Sequence, residues 1–172
     1  MKSLRQIFIL LAVSLVLFGC SSPPALENNP WKVVSLPTDA TMVDIGFTRD
    51  PSHGWVVGNA SSLLETLDGG DTWQERSLDL DNDKYVFTSI SFFEDEGWAV
   101  GQPNILLHTT DGGSQWEEIP LSERLPGQPT TITALDERSA EMSTDVGAIY
   151  RTMDSGQNWK AMVEGAVGVV RN

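Results

Sequence analysis

Trp73, Trp116 and Trp159 stand 43 residues apart, and each closes the same eight-residue motif. The motifs read TLDGGDTW at 66–73, TTDGGSQW at 109–116 and TMDSGQNW at 152–159. A second signal keeps the same step, GWVVG at 54–58 and GWAVG at 97–101. Its third copy falls on AEMST from Ala140, where it has drifted. Even so, Gly147 to Thr152 stays in line with Asn104 to Thr109. A fixed period of this length means one supersecondary unit used repeatedly, and roughly 40–50 residues is the size of a four-stranded propeller blade. The chain is therefore expected to be all-β, a β-propeller of four-stranded blades.

The second repeat shows how a blade is written. Thr88 to Phe93 alternates polar and apolar, which suits an innermost strand. Glu94-Asp95-Glu96 turns the chain, Gly97 to Gly101 forms the second strand and Ile105 to Thr109 the third. After a turn at Asp111-Gly112-Gly113, Trp116 to Ile119 begins the fourth. The motif at that last turn matches the Asp-box, Ser/Thr-x-Asp-x-Gly-x-x-Trp. Asp68, Asp111 and Asp154 are placed to accept hydrogen bonds from turn N–H groups. Gly70, Gly113 and Gly156 supply the positive φ such a turn needs. Trp73, Trp116 and Trp159 are expected to bury their rings between neighbouring strands and to find indole partners. One equivalent acid per blade is a fold staple, because catalysis needs convergent groups instead.

Ahead of the repeats, Lys2 and Arg5 precede an almost wholly apolar run from Ile7 to Phe18. A span needs about 20 apolar residues, so this run reads as a signal peptide over 1–19. It ends at Leu17-Phe18-Gly19-Cys20, which looks like a bacterial lipobox, with Cys20 as the lipid attachment point. Residues 20–30 then form a short flexible tether. Cys20 is the single cysteine, which excludes an internal disulfide and thiolate metal sites. The partial propeller occupies 31–172, with blades at about 41–80, 85–121 and 130–163 and the start of a fourth at 164–172. Trp31 stands 42 residues before Trp73 without an Asp-box, so 31–36 reads as a closing strand whose three partners lie elsewhere. Three blades do not make a ring, and the chain reads as the N-terminal part of a longer product. The alternative is a short protein that completes its ring by oligomerising.

Without the first 19 residues, nine basic residues face 24 acidic ones, a net charge of −15. Nucleic acid and anionic headgroups are poor partners for such a surface. His53 and His108 sit at unlike positions in their repeats and give no metal-ligand spacing. The Gly-Gly pairs precede strands, so they lack the context of a phosphate loop. No cofactor is implied.

The ordered combination of GWVVGNASSLLETLDGGDTWQERSLDL (54–80), DEGWAVGQPNILLHTTDGGSQW (95–116), LPGQPTTITAL (125–135) and AEMSTDVGAIYRTMDSGQNW (140–159) resembles the photosystem II assembly and stability factor family of cyanobacteria and chloroplasts. The lipobox before the first strand is like that of the cyanobacterial members. The resemblance implies a seven-bladed propeller on the lumenal side of the thylakoid membrane, or the periplasmic face of the plasma membrane, lipid-anchored and not an enzyme. It implies binding to the newly made reaction-centre core subunit and to early assembly complexes, in assembly and repair. It also implies an arginine-rich partner patch, for which Arg124, Arg151 and Arg171 are the candidates here. A guanidinium there would fork onto a carboxylate of the partner.

Two other classes share parts of this pattern. One is a lipid-anchored envelope propeller with an unrelated protein partner. The other, more remote, is an Asp-box glycoside hydrolase of the sialidase kind. That chemistry needs converging arginines, a Tyr nucleophile and an acid. The tyrosines are Tyr85 and Tyr150, and Arg49, Arg76 and Arg138 show no sequence sign of convergence.

Overall fold

Each repeat folds as one antiparallel meander, because its apolar runs are short and a turn signal separates every pair. The computed structural model describes residues 32–78, 80 and 84–163. The chain divides into two units, Met1–Val33 and Val34–Asn172, and every described strand lies in the second. The first sheet holds β1 (Met42–Phe47), β2 (Gly54–Gly58), β3 (Leu63–Thr66) and β4 (Gln74–Glu75) in that order. The second holds β5 (Val86–Phe93), β6 (Glu96–Gln102), β7 (Ile105–Thr109) and β8 (Glu117–Glu118). The third holds β9 (Pro129–Asp136), β10 (Ser139–Thr144), β11 (Ile149–Thr152) and β12 (Lys160–Val163). Register follows the repeat: Trp55 pairs with Glu65, and Trp98 with His108.

The apolar core lies between blades. One cluster joins Trp55, Val57 and Leu63 of the first blade to Phe87, Ile90, Ala99 and Leu107 of the second. The other joins Trp98, Val100 and Leu106 to Ile132, Ala140 and Met142 of the third. The middle strands β2, β3, β6 and β7 are buried almost throughout. β4 and β8 are two residues long and exposed. β1 alternates, turning Val43, Ile45 and Phe47 outward to solvent.

Residues 32–36 fall in the expected closing strand, whose three partners the sequence reading places elsewhere. They carry no strand, and Val33 is 92% exposed. A strand exists only through its ladder, and no described strand pairs with this segment. Trp31, the signal segment with Cys20, the tether and 164–172 lie outside the described residues.

Candidate functional site

The three Asp-box turns stand at one end of their blades, and each is tied to the turn between the first two strands of its own blade. Gly69 N donates to Ser52 O at 2.8 Å, Gly112 N to Asp95 O at 2.8 Å and Ser155 N to Arg138 O at 2.9 Å. Within each box a threonine hydroxyl sits at the centre. Thr66 Oγ1 donates to Asp68 Oδ1 at 2.8 Å and accepts from Gly70 N at 2.9 Å. Thr109 links Asp111 to Gly113 N, and Thr152 links Asp154 to Gly156 N, in the same way. Each Asp also accepts the amide of the residue four further on: Thr72, Gln115 and Asn158.

These donors set the acidity. The Thr72 hydroxyl and amide, then the Thr66 hydroxyl, hold the Asp68 carboxyl down at about 2. The Asn158 side chain and amide, then Thr152, hold Asp154 below the ordinary value. At Asp111 burial works in the opposite direction, but the Gln115 amide and Thr109 hydroxyl outweigh it and the shift is downward. A carboxylate with its lone pairs occupied by its own turn is a poor general acid and a poor nucleophile.

The tryptophans divide differently from the sequence expectation. Trp73, Trp116 and Trp159 of the boxes are only half-buried, whereas Trp55 and Trp98 of β2 and β6 are wholly buried. The repeat makes positions equivalent but does not say which of two rings faces the next blade. Trp55 reaches across to the second blade's box: its Nε1 donates to Gly112 O at 2.8 Å, and its ring meets Trp116 edge-on at 5.7 Å. Trp98 reaches the third blade's box through its ring alone, meeting Trp159 edge-on at 6.0 Å. Gly113 (φ 96°) has no room for a Cβ, which would run into the Trp55 indole. Trp73 Nε1 donates to Gly70 O at 3.1 Å, while the indole nitrogens of Trp98, Trp116 and Trp159 have no acceptor among the described residues.

The two histidines, at unlike repeat positions, turn out to be opposite halves of one recurrent pair. His53 Nε2 hydrogen-bonds Glu65 Oε1 at 2.8 Å, and His108 Nε2 hydrogen-bonds Glu96 Oε1 at 2.8 Å. One repeat step carries His53 onto Glu96 and Glu65 onto His108, so acid and base have exchanged strands. The signal was available by writing the repeats one above another. Arg76 adds a second partner to Glu65 at 2.9 Å, and His108 lies against the Trp98 ring at 4.0 Å. In the third blade Glu141 stands where Trp55 and Trp98 do, and it pairs with Arg151.

Arg124, Arg151 and Arg171 therefore have separate fates. Arg151 is engaged within its blade, with Nη2 2.7 Å and Nε 3.2 Å from Glu141 Oε2. Arg124 is exposed on a turn after the second blade, without an ion pair among the described residues. Arg171 lies outside them. Arg49 reaches Glu94 and Asp95 at 3.3 Å and lines one pocket with Arg138, whereas Arg76 is engaged by Glu65. No cluster of potential metal ligands occurs among the described residues, and no described helix is long and apolar enough to cross a membrane.

Stacked four-stranded meanders with an Asp-box in each define a β-propeller of the Asp-box class. The chain belongs to the family described as Photosynthesis system II assembly factor YCF48, whose model matches residues 23–172. It is 63% identical over 171 residues to the Photosystem II assembly lipoprotein Ycf48 of Nostoc sp., covering 99% of this chain and 50% of that protein. A solved structure described as YCF48 bound to D1 peptide superimposes with a TM-score of 0.79 at 57% identity, covering 83% of this chain and 46% of the other. YCF48 from Cyanidioschyzon merolae superimposes with a TM-score of 0.76 at 47% identity, covering 79% and 44%. The chain thus spans about half the length of the relatives it matches.

Proposed function

We propose that this chain acts in photosystem II assembly as a binding protein, holding the newly synthesised D1 reaction-centre subunit and early assembly complexes during assembly and repair. The carrying observation is the family match over 23–172, together with the 57% identical relative solved with a D1 peptide. The role is binding and not catalysis, a reading supported by the three Asp-box carboxylates being held by their own turns. Cys20 carries the lipid that anchors the protein at the lumenal side of the thylakoid membrane, in keeping with the lipoprotein name of its Nostoc relative. Of the arginines singled out by the resemblance and described, Arg124 is the one free to meet a partner carboxylate.

The test is co-purification. The tagged full chain is produced in a cyanobacterium lacking its own family member, and newly made protein is pulse-labelled. Labelled D1 is expected to elute with the chain, and Cys20→Ala is expected to move the chain out of the membrane fraction. Recovery of the chain in the membrane without any labelled photosystem II subunit would overturn the reading.

A further inference from the structure

At the Asp-box end of the second seam, the turn before β6 and the turn before β10 border an open cavity of about 630 Å³. Phe93, Glu96 and Thr110 line it from the second blade, and Glu137, Arg138 and Ser155 from the third.

The first seam shows how such turns are joined. There Arg49, on the turn before β2, crosses to Glu94 and Asp95 on the turn before β6, at 3.3 Å to each. A cation of one blade thus answers the acids of the next. At the second seam the third blade brings Glu137, an acid, to the same acidic turn. Its neighbour Arg138 has no ion-pair partner among the described residues and stands by Asp136 and Asp154 of its own blade. Arg49 also borders the cavity, but Glu94 and Asp95 engage it.

Glu96 is the buried member of the wall. Its side chain is 9% exposed, and Oε1 is held by His108 at 2.8 Å. Oε2 has no partner among the described residues and is not sealed from solvent. A carboxylate drawn that far out of water with one oxygen unpaired is completed by a donor. Ser155 is the second observation. It stands at a φ of 56°, where the other two boxes have Gly69 and Gly112 at 72°. The serine bears that backbone strain and brings a hydroxyl, unbonded among the described residues, to the cavity wall. Acceptors spread around a cavity suit a compact ammonium with three rotatable donors better than a planar guanidinium. Phe93, 37% exposed, offers apolar surface to an aliphatic stem.

We propose that this cavity receives a lysine side chain of a partner protein, its ammonium donating to Glu96 Oε2, the Glu137 carboxylate and the Ser155 hydroxyl, with its stem along Phe93. This rests on the protein-binding reading above and adds to it a contact for a basic residue.

The probe is an acetylated, amidated peptide, Gly-Ser-Gly-Lys-Gly-Ser-Gly, titrated into the 15N-labelled full chain while backbone amide signals are followed. The Ser155 and Arg138 amides are expected to shift saturably, with Gly69 of the first box unmoved. Acetylating the lysine Nζ keeps the stem, removes the charge and is expected to abolish the shift. Glu137→Gln should weaken binding about fivefold, the scale of one charge-assisted contact. Ser155→Gly restores the residue of the other boxes, so the fold is not at risk, and should weaken binding about threefold. Glu75→Gln, an exposed acid on β4, should leave it unchanged. A still Ser155 signal at millimolar peptide overturns the proposal. Equal weakening by Glu137→Gln and Glu75→Gln, the mark of general attraction to an acidic surface, overturns it too. Undiminished binding of the acetylated lysine overturns recognition of the ammonium. A still signal with D1 co-purification intact removes the cavity and leaves the assembly role standing. A saturable shift without labelled D1 keeps the cavity and overturns the assembly role alone.

Discussion

The seam between the first and second blades and the seam between the second and third are assembled from the same parts with different chemistry. At the first, Trp55 is bonded through its indole to Gly112 O, and the Asp44 carboxylate crosses to Ser89 Oγ and Ile90 N at 3.0 and 2.9 Å. At the second, Trp98 lies against the Asp-box with its indole nitrogen unpartnered, and hydroxyls cross instead, Ser91 Oγ accepting from Ala134 N at 3.0 Å. The first blade puts the histidine on the turn before β2, and the second puts it on β7. A repeat thus conserves where groups must meet and leaves open which strand supplies which group.

The largest test exchanges the His–Glu pair. In the second blade both side chains are almost fully buried, at 8% and 9% exposure. Glu96→Ala or His108→Ala alone is expected to cost about 3 kcal/mol or more, because a buried polar partner is stranded. The double exchange Glu96→His with His108→Glu recreates the first blade's order and should recover most of that loss in denaturant unfolding. A double variant no better than the singles would show that the two seams are not interchangeable.

Next in size are the box glycines. Gly113→Ala must displace the Trp55 indole at a positive φ and should cost on the order of 3 kcal/mol. Gly156→Ala, also at a positive φ, meets the Ile119 Cδ1 methyl at 2.6 Å, a side-chain end that can swing away, and the Trp98 ring only at 3.1 Å, and should cost about half as much. Trp55→Phe and Trp98→Phe sharpen the contrast further. The first removes a buried bond and strands Gly112 O, so it should exceed the second by about 1 kcal/mol in thermal or urea unfolding.

The smallest effect is acid sensitivity at the boxes. The Asp68 carboxyl has an ordinary value of 3.8 and a folded value of about 2. The unfolded chain therefore binds the proton first as pH falls. The contribution of Asp68 is fully present above about pH 4 and fades as pH falls toward 2. Asp68→Asn should flatten the acid limb of the stability curve over that window, and an unchanged limb would exclude the turn as its source.

Much of this architecture was legible before any coordinates. The 43-residue step, the Gly-Trp strands and the Asp-box turns placed three four-stranded sheets along the chain, because turn chemistry is local. What depended on facing was not legible. Trp73, Trp116 and Trp159 looked like the buried rings, yet the next blade covers Trp55 and Trp98 more completely. Arg151 looked available, but Glu141, at a position that earlier repeats fill with Trp, takes it up. The expected strand at 31–36 has no described partner, and a ladder cannot be read from one strand alone.

The placement of both apolar clusters between blades has a consequence for how such a chain can change. Every strand pair is local in sequence, so a blade's hydrogen bonds can form early and cheaply. Its apolar faces, however, are completed only by the blade before and the blade after. Half a blade added or lost would strand two half-cores at once. A whole unit inserted in frame would present the same faces as its neighbours. Evolution is thus confined to counting in steps of one blade, and lineages of this architecture should differ by entire 43-residue quanta and by loop length, seldom by single strands.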